Sequence, residues 1–159
     1  MPAVGKTTIG KLLAKKLNMQ FVDGDDLIRA SCMATLPEII EKHGPDGFIK
    51  IENAVLSAFD GTDTVLAPGG SVVYGEDAMR NLKARSVIVY LYLPFDKLEV
   101  RLGKAKERGV VLRDGQTLKD LFDERVVLYE KYADVTIDES GKKSEETAEE
   151  CAAALKNKL

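Results

Sequence analysis

From Gln20 onward the chain alternates short apolar runs of strand length with stretches of helical spacing, and that order leaves few folds open. Ile9, Leu12, Leu13 and Leu17 fall at helical spacing, and an extended run at Gln20 to Val22 follows them. Between residues 25 and 59 three short helices are expected: Thr35 with Glu38 makes a capping box, and Pro45 suits the first position of a new helix carrying Phe48, Ile51, Val55 and Leu56. Thr64 to Ala67 reads as a buried strand stopped by Pro68-Gly69-Gly70, Glu76 to Lys83 as a helix, and Ser86 to Leu93 as the clearest strand. Helical signals return at Asp96 to Lys106 and Leu118 to Glu130, then a strand at Val135 to Asp138 and a last helix from Ser144 to Asn157. Strand and helix in this order predict a parallel sheet with helices on both faces, a three-layer α/β/α arrangement. A length of 159 residues without repeats or linker-like tracts predicts one domain, residues 1–159.

Composition excludes several classes of partner. The formal charge of -3 comes from acids and bases mixed along the chain, so no block of like charge invites nucleic acid or an anionic membrane. Cys32 and Cys151 stand far apart with no CxxC pair, which suggests neither a disulfide framework nor a zinc site and suits a reducing cytoplasm. The longest apolar runs, such as Val87 to Leu93, are too short to span a bilayer, and no signal-peptide pattern follows Met1. A soluble, cytoplasmic monomer acting on a small molecule is the expectation.

The chain opens Met1-Pro2-Ala3-Val4-Gly5-Lys6-Thr7-Thr8 and runs straight into the first amphipathic helix, which is the second half of GxxxxGK[ST]. Gly5 lets backbone approach a phosphate, and the amides from Val4 to Thr8 point at the anion with the helix dipole behind them. Lys6 would reach the β and γ phosphates of a nucleotide, and the Thr7 hydroxyl would bind Mg2+. The plainer reading, a common helix start, explains the same tripeptide. The first glycine of the motif would fall one position before Met1, and the strand feeding the loop would lie before that. Met1 is therefore read as an internal methionine, with roughly ten further residues upstream, one strand plus a glycine.

With these motifs in order, the chain resembles the shikimate kinases, within the nucleoside monophosphate kinase-like P-loop fold, over essentially its whole length. Phe21-Val22-Asp23-Gly24-Asp25 looks like that family's F-x-D-x-D. The resemblance implies that Asp23 helps to hold Mg2+ and that Asp25 binds the acceptor hydroxyl and takes its proton. Read locally, the same residues are a turn with an aspartate N-cap. His43-Gly44, Phe48 and Glu52 match the next family segment, except that the arginine after the phenylalanine is Ile49 here. That arginine clamps the substrate carboxylate in the family, and an aliphatic side chain has neither its charge nor its donors. Pro68-Gly69-Gly70-Ser71 stands where the family has three glycines beneath the acceptor ring, so Gly69 and Gly70 are assigned to substrate binding. Asp123-Glu124-Arg125 with Leu128-Tyr129 matches the family helix whose arginine is the second substrate clamp. Arg101 corresponds to the arginine near adenine, and Arg108 to one delivered by a lid over residues 108–117 to the transferring phosphates. Residues 138–144 occupy the place of the adenine-contacting loop.

The resemblance implies transfer of the γ-phosphate of ATP to the 3-hydroxyl of shikimate. Ile49 and Pro68 leave open a kinase for another small hydroxy acid or polyol, and the missing strand and first glycine leave open a nucleotide-binding regulatory domain without transfer activity.

Overall fold

A computed structural model describes residues 1–103, 112–113, 115–156 and 158. Helices α1 (Lys6–Leu17), α2 (Gly24–Cys32), α3 (Leu36–Ser57), α4 (Glu76–Arg85), α5 (Phe95–Gly103), α6 (Leu118–Tyr132) and α7 (Ser144–Leu155) alternate with strands β1 (Gln20–Asp23), β2 (Thr64–Ala67), β3 (Val89–Tyr92) and β4 (Val135–Asp138). The α/β alternation is therefore as expected, and Thr35 and Thr117 each close a capping box, with Glu38 and Asp120, at the starts of α3 and α6. The three helices expected between residues 25 and 59 are α2 and the two halves of α3. Gly44, at φ +67°, breaks α3 at the residue before Pro45, whose ring removes a donor and disfavours helix there. The strand expected from Ser86 to Leu93 pairs only from Val89 to Tyr92.

Two layers of helix sandwich the strands. Leu13 of α1, Ile137 of β4 and Cys151 and Leu155 of α7 form one buried cluster, against which Val65, Val89 and Leu91 pack. On the opposite face Tyr90 joins Leu56, Met79, Leu82, Leu98, Phe122 and Tyr129 from α3, α4, α5 and α6. Alternate residues of β3 thus serve opposite cores, as a pleat requires.

The parallel sheet, expected to lack the strand that feeds the phosphate loop, is divided in two. β1 pairs with β2 in parallel, Asp23 opposite Ala67, and β3 pairs with β4 in parallel, Tyr92 opposite Asp138. None of the described residues runs as a strand between β2 and β3. A cavity of about 560 Å³ lies there, walled by Val65 and Leu66 of β2, Val89 and Tyr90 of β3, and Leu13 of α1. Parallel strands hydrogen-bond through neighbours on both edges, so the facing edges of β2 and β3 remain unpaired across this cavity. Among the described residues no helix is long and apolar enough to cross a membrane.

Candidate active site

The carboxyl ends of β1 and β2, the starts of α1 and α2 and one face of α6 converge on the site. Gly5 caps α1 with φ +85°, a left-handed conformation that strains any residue with a Cβ, and it accepts the first helical hydrogen bond from Ile9 N at 2.9 Å. No side chain caps this helix and no acidic residue occupies its first turn. The amides of its first turn are therefore free for an anion, with the positive end of the helix dipole behind them. Val4 is buried and anchors the loop, whereas Thr7 and Thr8 are exposed. Lys6 is half-buried and folds back to donate to the carbonyl of Met1 at 2.8 Å. Desolvation holds its ammonium below the ordinary lysine range, with Asp25 opposing that shift and Arg125 adding to it.

Asp23 ends β1 and caps α2, accepting from the amide of Asp25 at 3.0 Å through one oxygen and from the Thr7 hydroxyl at 3.0 Å through the other. The local reading of this segment as a turn with an N-cap is thus correct, and it coexists with a bridge to the phosphate loop. Thr7 and Asp23 offer hard oxygen donors, and no group of three or more His, Cys, Asp or Glu gathers elsewhere among the described residues. A sparse oxygen set of this kind suits Mg2+, which completes its octahedron with water and phosphate oxygens. The cap also aims Asp25 from the first turn of α2 into the site. Burial raises the Asp25 carboxyl above its usual range, and Asp23 raises it further against the pull of Lys6.

The acceptor side is assembled from distant parts of the chain. A Cβ placed on Gly69 would stand 2.7 Å from Oε1 of Glu52 and 3.3 Å from Oδ1 of Asp25. One on Gly70 would stand 3.0 Å from both a terminal nitrogen of Arg125 and the hydroxyl of Tyr129. Two of the expected glycines therefore form bare backbone against which two acids and a guanidinium close, and a side chain at either would collide with them. Tyr129 donates to the Gly70 carbonyl at 2.7 Å, and Ser71 donates to Oε2 of Glu52 at 2.5 Å. Arg125 lies over the ring of Tyr74, 5.4 Å from its centroid, and donates to its hydroxyl at 3.4 Å. These contacts hold the guanidinium toward Gly70 rather than out in solvent.

The profile of the family described as shikimate kinase matches residues 2–156. The chain belongs to the shikimate kinase family. The shikimate kinase of Aquifex aeolicus is 33% identical over 152 residues, covering 95% of this chain and 89% of the relative. That of Pseudomonas paraeruginosa is 37% identical over 137 residues, covering 84% and 80%. Among solved structures, a shikimate kinase from Acinetobacter baumannii in complex with shikimate superposes with a TM-score of 0.85 at 34% identity, covering 99% of this chain and 90% of that one. The Aquifex aeolicus shikimate kinase structure superposes with a TM-score of 0.82 at 32% identity, covering 99% and 94%.

In this shikimate kinase-family chain, Lys6, Thr7, Asp23, Asp25, Gly69, Gly70 and Arg125 come together as the motifs anticipated. Arg101 sits apart, at the end of α5, where Nη1 donates to Oε1 of Glu139 at 2.8 Å. That contact joins α5 to the segment after β4, the two elements expected to meet adenine. Arg108 and most of residues 108–117 lie outside the described residues. Ile49 is half-buried, three positions before Glu52, and therefore on the same helix face. His43 is exposed, as a helix-end residue would be. Glu52, Ser71 and Tyr129 stood within the motifs that carried the resemblance without a role of their own, and Tyr74 stood outside them.

Proposed function

We propose that this chain transfers the γ-phosphoryl group of ATP to the 3-hydroxyl of shikimate, within a single kinase domain spanning residues 1–159. The observation that carries the reading is the convergence of Asp25, Glu52 and Arg125 on the bare backbone of Gly69 and Gly70, with Lys6 behind them. Val4 to Thr8 cradle the phosphates with backbone amides, and Lys6 swings from the Met1 carbonyl to the β and γ phosphates. Thr7 and Asp23 would hold Mg2+, which supplies neutralisation of phosphate charge when bound. Arg101 and the segment around Glu139 flank the base. Arg125 clamps the acceptor carboxylate, Gly69 and Gly70 support its ring, and Asp25 takes the proton of the attacking hydroxyl. Arg108 stabilises charge on the transferring group.

The test is ADP release with MgATP and shikimate, run beside Asp25→Asn. Saturable turnover that falls about a hundredfold or more in Asp25→Asn, with ATP binding retained, is the expected outcome. Full activity in Asp25→Asn would remove it from the mechanism. Ile49 favours a second reading, a kinase for another small hydroxy acid, and turnover of a different acceptor in the absence of any with shikimate would select it.

A further inference from the structure

Where the family has an arginine at position 49, this chain brings one from elsewhere. Arg113 precedes α6 and is tied to it through Gln116. Its amide donates to the Gln116 side chain at 3.2 Å, its carbonyl accepts from the Gln116 amide at 3.0 Å, and the Gln116 side chain donates to Glu124 at 3.2 Å. Gly115 takes φ +75°, a conformation that favours glycine. The guanidinium held in this way stands 3.7 Å from Asp46, one helical turn before Ile49 on α3, and 3.6 Å from Glu124, the residue before Arg125. It also lies 5.8 Å from the centroid of the Tyr74 ring, which Arg125 approaches at 5.4 Å.

Two guanidiniums on one ring repel each other, and an anion between them turns that repulsion into attraction. Both acids near Arg113 stand beyond hydrogen-bond length, and among the described residues its side chain makes no hydrogen bond, so its donors remain available. The side chain is 52% exposed, so a ligand can reach it. Lys50, the other cation near Ile49, is exposed and stands about 100° further round the helix. We propose that Arg113 is a specificity-determining residue that takes the place of the arginine absent at position 49, donating from its guanidinium to the carboxylate of the acceptor beside Arg125. Tyr74 spaces the two guanidiniums, and the Gln116–Glu124 tether fixes Arg113 to the helix that carries Arg125. A carboxylate drawn to one therefore meets the other.

This inference rests on shikimate as the acceptor, so the experiment separates the two. KM for shikimate and KM for ATP are measured for the native enzyme, Arg113→Ala, Arg113→Lys, Lys50→Ala and the double variant Arg113→Ala with Ile49→Arg. Arg113→Ala is expected to raise KM for shikimate about tenfold with KM for ATP unchanged, and Lys50→Ala to match the native enzyme. Arg113→Lys, which keeps the charge and loses the fork, should show a smaller rise, and Ile49→Arg should restore most of the affinity lost in Arg113→Ala. A merely structural role in holding the turn on α6 would not be rescued from α3. An unchanged KM for shikimate in Arg113→Ala, or a rise that a folded double variant leaves intact, overturns the proposal. Where the double variant does not fold, equal rises in Arg113→Lys and Arg113→Ala overturn it. Absence of shikimate turnover by the native enzyme fails the acceptor assignment instead. The native enzyme and Arg113→Ala are then assayed with quinate, a hydroxy acid, and inositol, an uncharged polyol: quinate turnover with a KM that rises in Arg113→Ala upholds the clamp, and any other result overturns it.

Discussion

The nucleotide side and the acceptor side of this site are built in opposite ways. The nucleotide side comes from consecutive residues: Val4 to Thr8 supply backbone amides, Gly5 supplies the left-handed turn, and Asp23 is tied to Thr7 by one hydrogen bond. Its recognition chemistry is general, because any polyphosphate meets the same amides and the same lysine. The acceptor side draws Asp25, Glu52, Gly69, Ser71, Arg125 and Tyr129 from four segments and uses side chains almost throughout. Its chemistry is particular, since each group presents one donor or one charge to one part of a small molecule. A change on the first side should therefore damage every reaction the enzyme runs, whereas a change on the second should alter which reaction it runs.

Lys6→Ala is the most severe test of that contrast. Removing the only cation of the phosphate loop should lower kcat on the order of a thousandfold with any acceptor, while the fold survives because the Lys6 side chain belongs to neither apolar core. An effect confined to one acceptor would break the comparison. Arg125→Ala should act in the other sense, raising KM for shikimate by roughly a hundredfold through loss of a charge-assisted clamp, with KM for ATP nearly unchanged. Steady-state kinetics with each substrate varied in turn read both outcomes.

The acceptor side also carries a stability cost that grows as pH rises, opposite in sense to that of the desolvated Lys6 ammonium, which is relieved as pH rises. Glu52 holds its proton up to about pH 7 in the folded protein, against an unfolded value of 4.5. Below pH 4.5 the acid is protonated in both states and the cost vanishes; as pH rises from there through 7 the folded state binds the proton more tightly, so stability falls. The difference between the two pKa values corresponds to about 3 kcal/mol, fully lost above pH 7. Urea unfolding of the native enzyme at pH 5 and pH 8, compared with Glu52→Gln, should isolate a decline of that order which the variant lacks. Equal slopes in the two proteins would mean that water or a conformational change relieves the buried acid.

The same contrast decides what the sequence disclosed. The phosphate loop and the Asp23-Gly24-Asp25 turn were legible because their chemistry is local: spacing along the chain fixes which amides and oxygens meet. The capping box at Thr35 is local for the same reason, and so marked the start of α3 within one residue. Glu52 and Ser71 stand 19 residues apart, and Tyr129 and the Gly70 carbonyl 59 apart, so only packing of α3 and α6 around β2 brings them into contact. No period or motif encodes that meeting. The gap in the sheet was legible too, because the strand that feeds a phosphate loop is absent from the sequence and is usually central: no described residue runs between β2 and β3, which face each other across about 560 Å³. Ser86 to Ile88 had strand composition, but the Ile88 carbonyl accepts from the amides of Asp134 and Val135 and its amide donates to the Asp134 side chain, so the regular ladder of β3 starts only at Val89.

The smallest effect should come from Arg101, on the nucleotide side but outside its phosphate loop, in an ion pair with Glu139. Arg101 is 39% exposed and Glu139 only 5%, so the charge that suffers on breaking the pair is the acid. Desolvation already raises the Glu139 carboxyl, and Arg101 is the main group opposing that shift. Arg101→Ala should thus cost about 1 kcal/mol, discounted for the exposed guanidinium, and raise KM for ATP only a few-fold because the phosphates remain anchored at Gly5 and Lys6. The double variant Arg101→Ala with Glu139→Gln should recover most of the lost stability, since the neutral amide removes the unpaired buried charge. If the double variant regains stability but not ATP affinity, Arg101 meets the nucleotide itself. Recovery of both would assign Arg101 to holding α5 against the segment after β4, leaving nucleotide recognition to the consecutive residues of the phosphate loop.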